Sequence, residues 1–241
     1  MTHYDQERVS LPGEPEDVYL TRFAAADAAS DSGAKKTPVI ICPGGGYRLI
    51  GTSEGEPVAA RLLDAGYAPF VLHYSVGESV RYEKEARPPV KSAADLGKAA
   101  LLIAARADAW HVNPQTLVLA GFSAGGHVTA TYLGEAVRAG SGLPVPQAAL
   151  LVYPLMVRDG PPDGGPASYD AKLGIAAGWP PTFLYHCTAD RMVPFESSVL
   201  LDAALTKAGV PHMFFRTDTG THARPFEPGD WWQPFVNWLD T

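Results

Sequence analysis

The sequence predicts an α/β fold, in which a mostly parallel β-sheet carries helices on both faces. Short apolar runs rich in Val, Ile and Leu recur along the chain, as expected for strands that are buried on both sides. Helical stretches alternate with these runs and several begin near Pro or end at Gly. No linker interrupts the alternation, so residues 1–241 are interpreted as a single domain.

The first half of the chain begins with a polar segment, residues 1–16, which is interpreted as an arm or an early edge segment. Strands are then predicted at 18–23, 38–42, 68–74 and 117–120, and helices at 58–65, 90–110 and 124–138. Pro57 lies near the start of the first helix and Gly66 closes it, which is the usual placement of these two residue types.

The second half continues the same pattern. Strands are predicted at 148–153, 182–186 and 212–216, and helices at 195–208 and about 230–239. The segment 155–180 breaks the alternation, because it is long and rich in Pro and Gly. We expect it to form a small cap or pocket-lining insertion and, with the loop 75–90, to cover a ligand pocket, since both follow the carboxyl ends of strands.

The charge and composition of the chain limit the classes of molecule that it is expected to bind. The formal net charge is −7 and no run of Lys and Arg is present, so nucleic acid is not an expected partner. The first residues show no leader peptide and no apolar stretch approaches about 18 residues, so a cytoplasmic protein without a membrane partner is expected. Cys42 and Cys187 are interpreted as two buried free thiols, with a disulfide as the alternative.

A candidate nucleophile lies between a predicted strand and a predicted helix. Gly121-Phe122-Ser123-Ala124-Gly125 fits the pattern G-x-S-x-G, and this strand–turn–helix setting is the one that a nucleophile elbow requires. Side chains two positions before and after Ser123 would collide with neighbouring backbone, which explains glycine at both places. The alternative is a Gly-rich turn in which Ser123 only caps the helix.

A serine hydroxyl needs a base, and the base needs an orienting carboxylate. In this kind of sheet the chain order is Ser, then Asp or Glu, then His. Asp190 follows the strand 182–186 and His222 follows the strand 212–216, so both lie where catalytic groups gather. The alternative for Asp190 is a cap of the helix 195–208.

The other histidines are less suited to act as the base, because they lie within regular elements or in the arm. They are His3, His73, His111, His127, His186 and His212. His127 follows Ser123 by one helical turn and is therefore interpreted as a structural or supporting residue.

Negative charge that develops on a reacting carbonyl oxygen needs backbone N–H donors already aimed at it. Ala124, directly after the nucleophile, is expected to supply one donor. Gly45 and Gly46 are expected to supply others from the loop Pro43-Gly44-Gly45-Gly46-Tyr47, in which Tyr47 is a further candidate for substrate binding. A phosphate-binding loop is the alternative, but neither G-x-x-x-x-G-K-[ST] nor G-x-G-x-x-G matches.

Together these motifs resemble the α/β-hydrolase superfamily, and more narrowly its bacterial acetyl-esterase and xylan-esterase branch, near the dienelactone-hydrolase-like and hormone-sensitive-lipase-like groups. The resemblance covers roughly residues 17–240. It rests on Pro43 to Tyr47, Gly55 to Ala59, Gly121 to His127, Asp190 to Pro194 and His222, in that order. It implies a sheet of up to eight strands, no cofactor, and hydrolysis of short acyl esters, often acetyl groups on sugars.

Two residues differ from those of the neighbouring groups, and a third feature concerns the size of the sheet that the resemblance implies. Pro43 stands where lipase-like relatives have His. The first strands are weakly marked, which leaves a shortened sheet as an alternative. Ser123 in place of Cys argues against dienelactone hydrolase activity itself.

The expected function is therefore a serine carboxylesterase that acts on a small-molecule ester with a short acyl group. A small serine peptidase and a non-catalytic ligand-binding protein remain as alternatives, because the fold alone does not determine the chemistry. Trp231, Trp232 and Trp238 are interpreted as core residues of the last helix, with sugar stacking as the alternative. No pair of His or Cys has metal-ligand spacing, and the oligomeric state does not follow from the sequence.

Overall fold

The computed structural model describes residues 3–26, 33–77, 90–156, 174–224, 226 and 230–239. The strands of these ranges are β1 (Tyr4–Ser10), β2 (Tyr19–Ala25), β3 (Pro38–Cys42), β4 (Ala68–His73), β5 (Val118–Phe122), β6 (Ala148–Val152), β7 (Thr182–Cys187) and β8 (His212–Thr217). The helices are α1 (Glu56–Asp64), α2 (Val90–Ala105), α3 (Ala124–Ala136), α4 (Glu196–Lys207) and α5 (Trp232–Leu239). A turn of 3₁₀ helix at Pro114–Thr116 precedes β5.

The described strands form one sheet of eight in the order β1-β2-β4-β3-β5-β6-β7-β8. The pairs β1–β2 and β2–β4 are antiparallel, and the other pairs are parallel. The predicted mostly parallel α/β sheet is thus confirmed. The polar segment at the start of the chain contributes an edge strand, so the alternative of a shortened sheet is wrong.

Helices cover both faces of the sheet because the side chains of the central strands alternate between two cores. Ile40 and Cys42 of β3 belong to the core beneath α2, α3 and α4, whereas Val39 and Ile41 belong to the core beneath α1 and α5. The tryptophans of the last helix pack in this second core, where Trp231 is fully buried and Trp232 is 8% exposed. Core packing is therefore the correct interpretation of this aromatic cluster.

The helix predicted at 90–110 ends earlier than expected. Regular α2 stops at Ala105, and the chain continues in turns to His111, whose φ of 53° lies in the left-handed region. The left-handed φ of His111 closes this run of turns, because such a residue does not continue a right-handed helix. No helix among the described residues is long and apolar enough to cross a bilayer.

Two loops singled out in the sequence lie mostly outside the described residues. These are 78–89 of the loop 75–90 and 157–173 of the insertion 155–180. The two cysteines are described, and both are buried and free, as predicted.

Candidate active site

The candidate catalytic residues meet at one edge of the sheet. Ser123 follows β5, Asp190 lies three residues beyond the end of β7, and His222 lies five residues beyond the end of β8. Because these strands are parallel, their carboxyl ends point to the same side of the molecule. Residues far apart in the sequence therefore come within hydrogen-bond distance.

The three side chains form one hydrogen-bonded chain. Ser123 Oγ lies 2.9 Å from His222 Nε2, and His222 Nδ1 lies 2.6 Å from Asp190 Oδ2. In this arrangement the serine hydroxyl donates to Nε2 and the imidazole donates from Nδ1 to the carboxylate. This is the geometry that serine activation requires.

Asp190 is held from several directions. Its Oδ2 also lies 3.2 Å from His186 Nε2, while its Oδ1 accepts hydrogen bonds from the backbone N–H groups of Met192 and Val193. Burial acts to raise the pKa of Asp190, but the hydrogen bonds from His186, His222 and Val193 lower it well below its ordinary value. Asp190 is therefore ionised at neutral pH. Its Oδ1 binds backbone N–H groups of the loop that precedes α4, so Asp190 does not cap that helix.

The turn at Ser123 has the strained backbone expected of an elbow. Ser123 has φ 50° and ψ −117°, a conformation that side-chain-bearing residues rarely adopt. A Cβ on Gly125 would lie 1.9 Å from the Cys42 carbonyl oxygen, and one on Gly121 would lie 2.5 Å from Thr129 Oγ1. Although Ser123 occupies the N-cap position of α3, its side chain makes no capping hydrogen bond.

The glycine-rich loop after β3 is shaped by left-handed backbone. Gly45 has φ 127° and Gly46 has φ 60°, and a Cβ on Gly45 would lie 1.9 Å from the Leu49 carbonyl oxygen. Within the described part of the chain, the backbone N–H groups of Gly45, Gly46 and Ala124 donate to no protein acceptor. All three remain available to a ligand oxygen.

The side chain of Tyr47 is not where the sequence suggested. Tyr47 is only 3% exposed, and its hydroxyl lies 3.0 Å from His127 Nδ1. The left-handed φ of 61° at Tyr47 accompanies this burial, which fastens the glycine-rich loop to α3. The buried side chain of Tyr47 therefore does not fit the predicted role of Tyr47 in substrate binding, and His127 is the structural or supporting residue that was expected.

Burial of His127 has a consequence for stability. Burial lowers the pKa of His127 from 6.5 to about 4, so the folded protein keeps this imidazole neutral where the unfolded chain takes up a proton. Stability should therefore fall with decreasing pH, by about 2 kcal/mol between pH 8 and pH 5 for this one group. Urea unfolding of the wild type and of His127→Asn should show a smaller stability difference at pH 5 than at pH 8; a constant difference would contradict this.

Ser123 and His222 open into a cleft of about 690 Å³, whereas Asp190 lies behind His222 and does not line it. Two exposed apolar side chains are part of its lining, Leu49 just after the glycine-rich loop and Met192 in the loop of Asp190. The residues that line the cleft are Gly45, Gly46, Arg48, Leu49, Gly51, Ser53, Glu54, Ser123, Leu155, Met192, Val193, Pro194, His222 and Ala223.

Sequence reasoning missed three buried side chains at this site. Glu54 precedes the Gly55–Ala59 motif, Tyr153 directly follows β6, and His186 lies four residues before Asp190. The position of Tyr153 at the carboxyl end of a parallel strand was an available signal. His186 was set aside because it lies in an apolar strand, yet its Nδ1 is 2.8 Å from Ser198 Oγ and its Nε2 faces Asp190.

Comparisons with known proteins find similarity to several hydrolases. The BD-FAE family model matches residues 28–136. An acetylxylan esterase of Xylanibacter ruminicola is 26% identical over 231 residues, which are 83% of this chain and 45% of that protein. An endo-1,4-beta-xylanase B of Butyrivibrio fibrisolvens is 24% identical over 209 residues, which are 78% of this chain and 32% of that protein. The chain thus spans less than half the length of these relatives.

The fold has a close counterpart among solved structures. The crystal structure of MGS-M1, an α/β hydrolase enzyme from a Medee basin deep-sea metagenome library, matches with a TM-score of 0.78 and 26% identity. The match covers 100% of this chain and 98% of MGS-M1. With the observed sheet order and the strand–turn–helix at Ser123, this likeness shows that the chain has the α/β-hydrolase fold.

Proposed function

We propose that the protein is a serine carboxylesterase that hydrolyses short-chain acyl esters, with Ser123, His222 and Asp190 as its catalytic residues. The hydrogen-bonded chain of these three side chains is the observation that carries the proposal. The similarity to an acetylxylan esterase supports an ester as the substrate.

The geometry supports acyl transfer in two steps. His222 Nε2 removes the proton from Ser123 Oγ as this oxygen attacks the ester carbonyl, and Asp190 stabilises the imidazolium that forms. His222 then donates the proton to the leaving alcohol, which leaves the acyl group on Ser123. A water molecule, activated by the same imidazole, attacks this acyl-enzyme and releases the acid.

The oxyanion of each tetrahedral intermediate needs donors that are already in place. Ala124 supplies the N–H at the start of α3, where the helix dipole also favours negative charge. Gly45 and Gly46 supply the N–H groups of the facing loop. Within the described residues these donors have no competing protein acceptor, so they need not break a bond before they act.

The proposed acyl group is acetyl, and a carbohydrate is the proposed alcohol. Backbone groups of Gly45, Gly46 and Gly51 and the Ser53 hydroxyl line one part of the cleft, whereas apolar side chains, among them Leu49, Leu155 and Met192, line another. A long alkyl chain gains binding energy only where it is buried against apolar surface, at about 0.8 kcal/mol per methylene. The similarity to an acetylxylan esterase is therefore what favours a small acetyl ester over a lipid-like one.

We expect kcat/KM for p-nitrophenyl acetate to exceed that for p-nitrophenyl octanoate by about tenfold or more, because acetyl is the acyl group that the similarity to an acetylxylan esterase favours. A spectrophotometric series from acetyl to octanoyl esters measures this directly. A faster octanoyl ester would contradict the acyl preference while leaving the esterase proposal intact. Release of the aniline from an aminoacyl anilide, without ester turnover, would instead favour a peptidase.

A further inference from the structure

A buried carboxylate lies behind the glycine-rich loop, and the proposed acyl transfer assigns it no role. Glu54 is 2% exposed; its Oε2 accepts a 2.6 Å hydrogen bond from the Gly44 N–H, and its Oε1 accepts a 2.8 Å hydrogen bond from the Tyr153 hydroxyl. Burying a carboxylate is costly unless donors replace the lost water. Two donors converge on this one, so its place is well defined.

The space that Glu54 occupies exists because residue 44 has no side chain. A Cβ on Gly44 would lie 2.6 Å from Glu54 Oε2 and 2.8 Å from Ser123 Cβ. Gly44 is therefore held between the carboxylate and the nucleophile. Since its N–H is bound to Glu54, the donors left for an oxyanion on this loop are those of Gly45 and Gly46.

The second partner of Glu54 also contacts the catalytic base. The ring of Tyr153 lies 4.5 Å from that of His222, measured between centroids, with an interplanar angle of 49°. Tyr153 is 1% exposed and has φ 37°, a strained conformation for an aromatic residue, and its N–H donates to the Tyr185 carbonyl at 2.7 Å. Strain of this kind is found where surrounding structure holds a side chain in a required place.

The charge of Glu54 is of the sign that favours catalysis. Burial raises the pKa of Glu54 above its ordinary value, although the hydrogen bonds from Tyr153 and Gly44 and the electrostatic attraction to His222 act to lower it. This attraction is mutual. An ionised Glu54 therefore also stabilises the imidazolium that His222 becomes when it takes the serine proton.

From this geometry we infer that Glu54 and Tyr153 are positioning residues, which join the oxyanion loop to the catalytic base. Glu54 holds the loop through Gly44, Tyr153 holds the imidazole through its ring, and their shared hydrogen bond sets the distance between the two. The inference rests on the proposed esterase function, because it concerns the same reaction.

The test compares Glu54→Gln, Tyr153→Phe and the double variant with the wild type on p-nitrophenyl acetate. Glutamine keeps the shape but loses the charge, and phenylalanine keeps the ring but loses the hydroxyl. Titration with a fluorophosphonate probe counts active sites, so that kcat refers to folded enzyme alone. We expect each single variant to lose about tenfold to a hundredfold in kcat with KM nearly unchanged.

Two further measurements distinguish a positioning role of Glu54 and Tyr153 from a role in the stability of the fold alone. The affinity for phenylboronic acid, which forms a tetrahedral adduct on a serine nucleophile, should fall in parallel with kcat. The double variant should lose less than the product of the two single losses, because the residues act through one hydrogen bond. Tyr132→Phe is the matched control, since its buried hydroxyl binds the Pro144 carbonyl away from the cleft.

Different results would contradict the inference about Glu54 and Tyr153 and the proposed esterase function. If kcat per titrated site stays within about twofold of the wild type in Tyr153→Phe and in Glu54→Gln, the inference is wrong. If Glu54→Gln does not fold, Tyr153→Phe decides alone by the same criterion. If the wild type shows no ester turnover, or if Ser123→Ala retains it, the proposed function fails instead.

Discussion

Replacement of Ser123 by Ala should lower kcat/KM for p-nitrophenyl acetate by about four orders of magnitude or more. The hydroxyl that this change removes is the one bonded to His222 Nε2, so no nucleophile remains in line with the base. Any residual rate would come from donors that still stabilise the attack of water. The fold should survive, because the change deletes one oxygen from a side chain that does not cap α3.

The control for this change is Ser92→Ala. Ser92 is also fully buried, and its hydroxyl donates to the Ser75 carbonyl instead of a histidine. Circular dichroism and thermal unfolding show whether each variant folds, and initial rates show whether it turns over substrate. Equal rates for Ser123→Ala and the wild type would remove Ser123 as the nucleophile and with it the proposed mechanism.

Replacement of Asp190 by Asn should lower kcat by about three to four orders of magnitude while KM changes little. The neutral amide can donate to His222 Nδ1, which would place the imidazole proton on Nε2, where it cannot accept from Ser123. The variant also loses the charge that stabilises the imidazolium. Because Asp190 bonds His186 and two backbone N–H groups as well, some loss of thermal stability is expected alongside the loss of rate.

The chain contains a second Asp–His pair that serves as the control. Asp202 Oδ1 lies 3.1 Å from His212 Nε2, between α4 and β8 and outside the cleft lining. Asp202→Asn should therefore leave kcat within about twofold of the wild type, since its histidine does not meet the nucleophile. A loss of less than about tenfold in Asp190→Asn would mean that another group orients the base.

Much of the site could be predicted because it follows from local patterns. Apolar β-branched runs mark buried strands, and parallel strands place their carboxyl ends at one edge. Ser123, Asp190 and His222 each follow such a strand, so their meeting could be expected before any distance was known. The same holds for the glycines around Ser123, whose missing side chains leave room for the Cys42 carbonyl and Thr129.

Other features depend on contacts that no local pattern specifies. Glu54 and Tyr153 are 99 residues apart, and they meet because β3, which precedes Glu54, and β6, which precedes Tyr153, are separated in the sheet by β5 alone. The sequence around His186 is that of an apolar strand and does not indicate that its ring lies beside Asp190. That contact depends on how the loop of Asp190 packs against the strand.

By itself, then, the sequence determined the α/β architecture and which strand end each candidate catalytic residue follows. Hydrophobic periodicity and the placement of glycines involve residues that are close together in the sequence, so both can be recognised without the structure. Only the tertiary structure decided that Tyr47 turns inward to His127 and that Glu54 is buried between the loop and Tyr153. Those outcomes depend on left-handed backbone in the loop and on strand order, which are set by packing across the whole sheet.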